Sequence, residues 1–219
     1  MKTRHSNHRN HALTLMDVMI ILCIICFLGI MLLPRLTHGG GQRRSKKLSC
    51  TNNLKQDMLA IKIWAGDNND KYPMQTSVTN GGTMELMNSS EAWRAFQVMS
   101  NELSTPHVLF CPVDKAHTVG TNFGDSLQHH ISYFINVNAT DADPQSIVFG
   151  DSAFEFHKIN VPAGFFDLVS NNPPQWSSLR HLDAGNVALA DGSVQSLINK
   201  SLIETLTATR LATNRIFIP

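Results

Sequence analysis

The chain has 219 residues, with 18 Lys and Arg against 17 Asp and Glu, and a formal net charge of +1. Lys2, Arg4 and Arg9 carry all the formal charge of the first 12 residues. Setting those three aside leaves 15 basic against 17 acidic groups, a balance of −2, which removes nucleic acid from the expected partners. Aromatic residues make up only 7%, and Gly, Asn, Ser and Thr are plentiful, which suits short strands joined by many turns.

The stretch Leu13–Leu33 (LTLMDVMIILCIICFLGIMLL) is apolar apart from Thr14 and Asp17. Its length predicts a membrane-spanning helix. The basic segment before it would stay in the cytoplasm, leaving the rest of the chain on the periplasmic side of an inner membrane. A cleaved secretory signal is not expected, because no alanine occurs between Leu13 and Leu59 to supply small residues after the apolar run. A lipoprotein site fails too, since Leu22 precedes Cys23 and Ile25 precedes Cys26. A plain signal anchor explains the length but not Asp17, an ionisable group that calls for a partner at membrane depth.

Beyond this segment, Gly39-Gly40-Gly41 marks a place where a continuing helix is broken or hinged, and Arg43-Arg44-Ser45-Lys46-Lys47 forms a basic collar. From Lys46 to Ala65 the helical pattern resumes, with Leu54, Met58, Ile61 and Ala65 on one face and Gly66 as its end. Asp67-Asn68-Asn69-Asp70 reads as a turn and lacks the glycine and terminal glutamate of an EF-hand loop. A capping box at Asn88-Ser89-Ser90-Glu91 predicts a helix with Ala92, Phe96, Met99 and Leu103 on one face, closed by Pro106. Val108–Cys111, Ile131–Val137 and Ser146–Phe149 are the next predicted strands. Asp191-Gly192, between Val187, Leu189 and Val194, Leu197, predicts a two-residue hairpin. Ser201 and Glu204 form a second capping-box pattern for a helix to about Arg210, and Asn214–Pro219 reads as a final edge strand.

Cys23 and Cys26 lie in the apolar run. Cys50 and Cys111 lie outside it, and in an oxidising compartment they are the pair available for a disulfide; the alternative is two buried free thiols. No C-x-x-C occurs outside the apolar run, which argues against a Cys-rich zinc site. His129-His130 lack an evident third ligand. His181, Asp183 and Asp191 invite a catalytic reading, but Asp191 starts a turn that favours Asp and His181 can hydrogen-bond its adjacent loop. No G-x-S-x-G, phosphate-binding glycine loop or H-E-x-x-H is present.

The run Ala12-Leu13-Thr14-Leu15-Met16-Asp17-Val18 resembles the cleavage and methylation motif of type IV prepilins and type II secretion pseudopilins. Ala12 stands for the usual Gly, Leu13 for Phe and Asp17 for Glu. Pro34 is residue 22 of the chain that such a cut would leave, where this family commonly carries a helix-bending proline. Later blocks extend the resemblance to pilin-like proteins of planctomycete- and verrucomicrobium-type bacteria: Cys50–Gln56, Phe110-Cys111-Pro112-Val113-Asp114, and His181 with Gly185-Asn186-Val187 and Asp191-Gly192-Ser193-Val194.

The resemblance implies a prepilin peptidase that cuts between Ala12 and Leu13 and methylates Leu13. It also implies an assembly role for Asp17, paired with the new amine of a neighbouring subunit. Other pilin or pseudopilin subunits and inner-membrane lipid are the further expected partners. No cofactor is expected, with calcium at Asp183 and Asp191 as the alternative. The expected organisation is a leader (1–12), a transmembrane and amphipathic helix (13–66) and a globular domain (67–219), in an α+β, pilin-like fold whose long N-terminal helix packs on a small antiparallel sheet. The implied function is structural, a filament subunit of a type IV pilus or a type II secretion pseudopilus, and not an enzyme. The competing class is a signal-anchored periplasmic domain that binds a ligand or performs hydrolysis.

Overall fold

The structure is a computed structural model, and it describes residues 14–36, 40–124, 126–209 and 213–219. The chain divides into two compact units, Met1–Arg43 and Arg44–Pro219.

In the first unit, helix α1 runs over Leu15–Leu36. Its start is a reciprocal cap. The Thr14 backbone N–H and hydroxyl donate to Asp17 Oδ2 at 2.9 and 2.8 Å, and the Asp17 N–H donates back to Thr14 Oγ1 at 3.3 Å. Leu15, Met16, Ile20, Leu22, Ile25 and Phe27 are all exposed, so apolar side chains point outward around the helix.

The expected membrane-spanning helix is corrected by the structure: among the described residues no helix is long and apolar enough to cross a membrane. Within α1 the unbroken apolar run is Val18–Leu33, between Asp17 and Pro34-Arg35. At ~1.5 Å per residue it covers about 24 Å, short of a hydrocarbon core of roughly 30 Å. The single-pass inner-membrane placement, with a cytoplasmic N-terminus and a periplasmic domain, falls with it.

Helix α2 spans Gly40–Asp67. Gly40 and Gly41 open it, and Gly39 lies outside the described residues. From Arg44 on it belongs to the second unit. Its expected stripe is buried, with Leu54, Met58, Ile61 and Ala65 all at 2% exposure or less, joined by Cys50, Ala60 and Trp64. Asn69 and Asp70 then turn with positive φ, and the Asp70 N–H closes on the Ala65 carbonyl at 2.9 Å.

The chain next crosses three short 3₁₀ turns to helices α3 (Arg94–Val98) and α4 (Ser100–Leu103). One helix was expected here. Met99 separates the two with a non-helical ψ of 17°, yet Ala92, Phe96, Met99 and Leu103 all reach the core. Val108–Cys111 is not a strand. Pro106 fixes the start of a 3₁₀ turn over Pro106–Leu109, whose N–H at His107 is capped by the Thr105 hydroxyl.

Among the described residues nine strands follow: β1 Tyr133–Asn136, β2 Ile147–Asp151, β3 Phe154–Phe156, β4 Ile159–Asn160, β5 Gly164–Leu168, β6 Gln175–Trp176, β7 Ala184–Leu189, β8 Val194–Ile198 and β9 Asn214–Ile218. Helix α5 (Ser178–His181) precedes β7, and α6 (Asn199–Ala208) follows β8. The main sheet is antiparallel throughout, in the order β5-β9-β1-β2-β7-β8; β4-β3-β6 form a smaller one. Strand β9, expected at an edge, is therefore interior, because β5 pairs with its outer side from Gly164↔Ile218 to Leu168↔Asn214.

Alternation along the strands sorts the core into two layers. Tyr133, Ile135, Ala188 and Phe217 pack with Cys50, Leu54, Met58 and Ile61 of α2. Phe134, Val187, Leu189, Ile216 and Ile218 pack with Leu202 and Leu206 of α6 and with Trp176. A register shift between Ile147 and Phe149 turns both Val148 and Phe149 toward the α2 side.

The Asp191-Gly192 hairpin is wider than expected. Ala188 pairs with Val194, the Gly192 N–H closes on the Leu189 carbonyl at 2.9 Å, and Gly192 takes φ +89°. This is a three-residue connection with glycine in the left-handed position. Ser201 is an internal cap and not the first one, since its hydroxyl accepts from the Ile198 N–H and α6 starts at Asn199.

Candidate functional site

The fold gathers its polar interior where α2, the segment after Leu109, α5 and the ends of β1, β2 and β7 meet. Two buried carboxylates anchor it. Asp114 lies in the turn after Cys111, held by its own N–H to the Cys111 carbonyl at 2.8 Å. Its Oδ2 meets Arg180 Nη2 at 2.6 Å, Ser132 Oγ at 2.7 Å and His117 Nδ1 at 2.8 Å, and its Oδ1 accepts from the Ala116 N–H at 2.8 Å. Burial alone would raise this carboxyl; His117, Arg180, Ser132 and Ala116 together override burial and hold it well below the usual carboxylate range. Arg180 also donates through Nη1 to the Ser132 carbonyl at 2.6 Å and to Ser152 Oγ at 3.2 Å.

Asp151 ends β2. Its Oδ2 accepts from both the backbone N–H and the side-chain amide of Asn186, at 2.7 and 2.8 Å, and sits 3.5 Å from His181 Nε2. Its Oδ1 is buried with no hydrogen-bond partner among the described residues. The same His181 nitrogen lies 3.4 Å from Cys111 Sγ. His181 is the last residue of α5, which Ser177 caps; Leu182 and Asp183 then take positive φ and turn the chain into β7, leaving the imidazole buried. Cys111 is joined to Cys50 of α2 by a disulfide, with Cα atoms 5.2 Å apart.

On the α2 side, Asp57 is fully buried, and neither of its carboxylate oxygens has a hydrogen-bond partner among the described residues. Burial pushes its carboxyl well up. Burial, then the nearby Asp151 and Asp57, push the Tyr133 phenol up as well.

Cys111, His181 and Asp151 have the residue types of a nucleophilic triad but not its geometry. In a triad the acid binds the imidazole nitrogen opposite the one facing the nucleophile. Here Nε2 faces both groups, and the sulfur is fully buried in a disulfide. A cleft of about 490 Å³ opens beside Asp114, Lys115, His117, Phe154 and Arg180. The Asp114 and Arg180 charges that face it are already paired with each other.

Comparison of the chain with protein-family models, with curated proteins and with solved structures finds no match.

The residues singled out in the sequence do not converge. Ala12 and Leu13 lie outside the described residues. Asp17 is bound to Thr14 at the start of α1. Asp183 and Asp191 stand at opposite ends of β7, a strand of roughly 20 Å at ~3.3 Å per residue. They cannot share one calcium ion, and Asp191 instead accepts from the Ser193 N–H at 2.8 Å. His181 faces Cys111 and Asp151, neither of which it was grouped with. Asp57, Asp114, Asp151 and Arg180 escaped the sequence reading. Asp114 had one available signal, its place in the Cys-Pro-Val-Asp block.

Proposed function

We propose that the chain is a structural filament subunit of the type IV pilin or type II secretion pseudopilin kind, processed between Ala12 and Leu13 by a prepilin peptidase. One observation carries the reading. Helix α1 presents large apolar side chains on all sides, while the second unit has a complete core of its own. An isolated helix of this character has no stable place in water. Bundling α1 helices from successive copies covers those side chains and leaves the α+β units outside. The interior polar groups of the second unit act as bolts between its elements, in keeping with a structural part and not a catalyst.

The test is the mass of the N-terminus after expression beside an active prepilin peptidase. Loss of residues 1–12 with a methyl group on Leu13 is expected. A terminus that still begins at Met1 under those conditions overturns the proposal.

A further inference from the structure

We propose that, when its disulfide is reduced, the protein binds one zinc-class divalent ion through Cys50, Cys111 and His181, with the Asp151 carboxylate as the fourth ligand. This inference does not rest on the filament reading.

The donor atoms of the two cysteines and His181 lie within 4.8 Å of one another, and all three residues are buried. A tetrahedral zinc ion with Zn–S near ~2.3 Å and Zn–N or Zn–O near ~2.0 Å sets its donors about 3.5 Å apart for sulfur and nitrogen and about 3.3 Å apart for nitrogen and oxygen. The structure has Cys111 Sγ 3.4 Å from His181 Nε2, and His181 Nε2 3.5 Å from Asp151 Oδ2. Two edges of the tetrahedron are therefore in place. The edge between the sulfurs is closed only because they are bonded. With the bond reduced, rotation of two side chains on Cα atoms 5.2 Å apart opens it toward the roughly 3.8 Å that two zinc-bound thiolates require.

Two further features point to a ligand. Asp151 Oδ1 is buried with no partner among the described residues, and Asn186 fixes the carboxylate through two hydrogen bonds to Oδ2. That is the outer support a ligating carboxylate needs. The imidazole also aims one nitrogen at both a sulfur and a carboxylate oxygen, so the three donor types face one another at a single point. The four chain positions lie far apart, so no C-x-x-C betrays the site in the sequence. Reduction supplies the two thiols. Metal binding then releases one proton from each and forms two S–metal bonds, and no further redox step is needed.

The experiment uses the full chain, reduced with a water-soluble phosphine under nitrogen and titrated with Co(II). The expected result is one equivalent bound, with a thiolate-to-cobalt charge-transfer band and intense tetrahedral d–d bands that zinc displaces. The oxidised chain should give neither band. Asp151→Asn should weaken binding by about tenfold or more. His181→Gln should do the same, with far-UV circular dichroism recorded on each variant. A reduced, folded chain without the charge-transfer band overturns the proposal, as does equal affinity in His181→Gln. If reduction unfolds the chain, added zinc should restore its circular dichroism, and failure to do so overturns the proposal as well.

Discussion

Arg180 and Asp114 face each other at 2.6 Å with side chains 8% and 2% exposed, and this contact ties α5 to the turn that follows the disulfide. A buried pair is most costly when only one partner is removed, because the other charge stays behind in a poor solvent. Arg180→Met should lower unfolding free energy by about 3–5 kcal/mol. Urea denaturation at neutral pH measures it, and a loss below about 1 kcal/mol would show that water reaches the stranded carboxylate.

Asp114 and Asp57 should give pH dependences of opposite sign. The Asp114 carboxyl is held below its ordinary 3.8, so the stability it brings is present above that value and is lost as pH falls through its folded value. The Asp57 carboxyl is raised above the same ordinary value, so its folded form keeps a proton that the unfolded chain gives up. Stability linked to Asp57 is full below about pH 4 and declines as pH rises toward the folded value. Asp57→Asn should therefore be more stable than the parent at pH 7, by about 1–3 kcal/mol, and equal to it near pH 3. Thermal melts across pH 3–8 decide this; a constant difference at all pH values would refute it.

Gly150 is placed where the sheet has no room for a side chain. A Cβ there would stand 2.6 Å from Phe134 Cε1 and 2.9 Å from the Asn186 carbonyl oxygen. Phe134 is itself fully buried, and Asn186 is bound to Asp151. Gly150→Ala should cost about 1–3 kcal/mol by overpacking. It should also weaken protection of the Asn186 amide in hydrogen exchange, since that N–H depends on the position of the neighbouring Asp151.

The start of α1 separates two roles for Asp17. Asp17→Asn keeps an oxygen for the Thr14 N–H and removes the charge, whereas Thr14→Ala keeps the charge and removes the hydroxyl from the cap. Thr14→Ala should cost the helix about 0.5–2 kcal/mol. If charge pairing aligns successive subunits, Asp17→Asn should reduce filament incorporation more than Thr14→Ala does. The reverse order, read by quantifying the subunit in sheared filaments, assigns Asp17 to the cap alone.

How far the sequence carries depends on how local the cause is. The stripe Leu54, Met58, Ile61, Ala65 was readable because a helix repeats its burial every third or fourth residue. The pairing of β7 with β8 was readable because an Asp-Gly turn sits between two apolar runs. The same stripe concealed Asp57, a charged residue that pattern reading assigns to solvent and the fold buries. Val108–Cys111 looked like a strand by composition, and Pro106 and the Thr105 cap tightened it into a 3₁₀ turn instead. The membrane-spanning helix was inferred from a count of apolar residues, and among the described residues no helix is long and apolar enough to cross a membrane. The polar seam was hidden for a different reason. Cys111, Asp151 and His181 come from a loop, a strand end and a four-residue helix, and only the tertiary fold sets them side by side.

The placement of β9 between β5 and β1 bears on how the chain acquires its shape during synthesis. Residues 164–168 leave the ribosome some fifty positions before β9, their main-sheet neighbour among the described residues, and β1 must wait longer still for one of its two partners. The four-strand set β1-β2-β7-β8 can zip up as it emerges, but β5 stays a loose ribbon bearing Phe165 and Phe166 until 214–218 slides in between. The step that completes the sheet is thus a late, long-range insertion, and a pause or premature stop near residue 210 would leave an open strand edge ready to pair with the wrong chain.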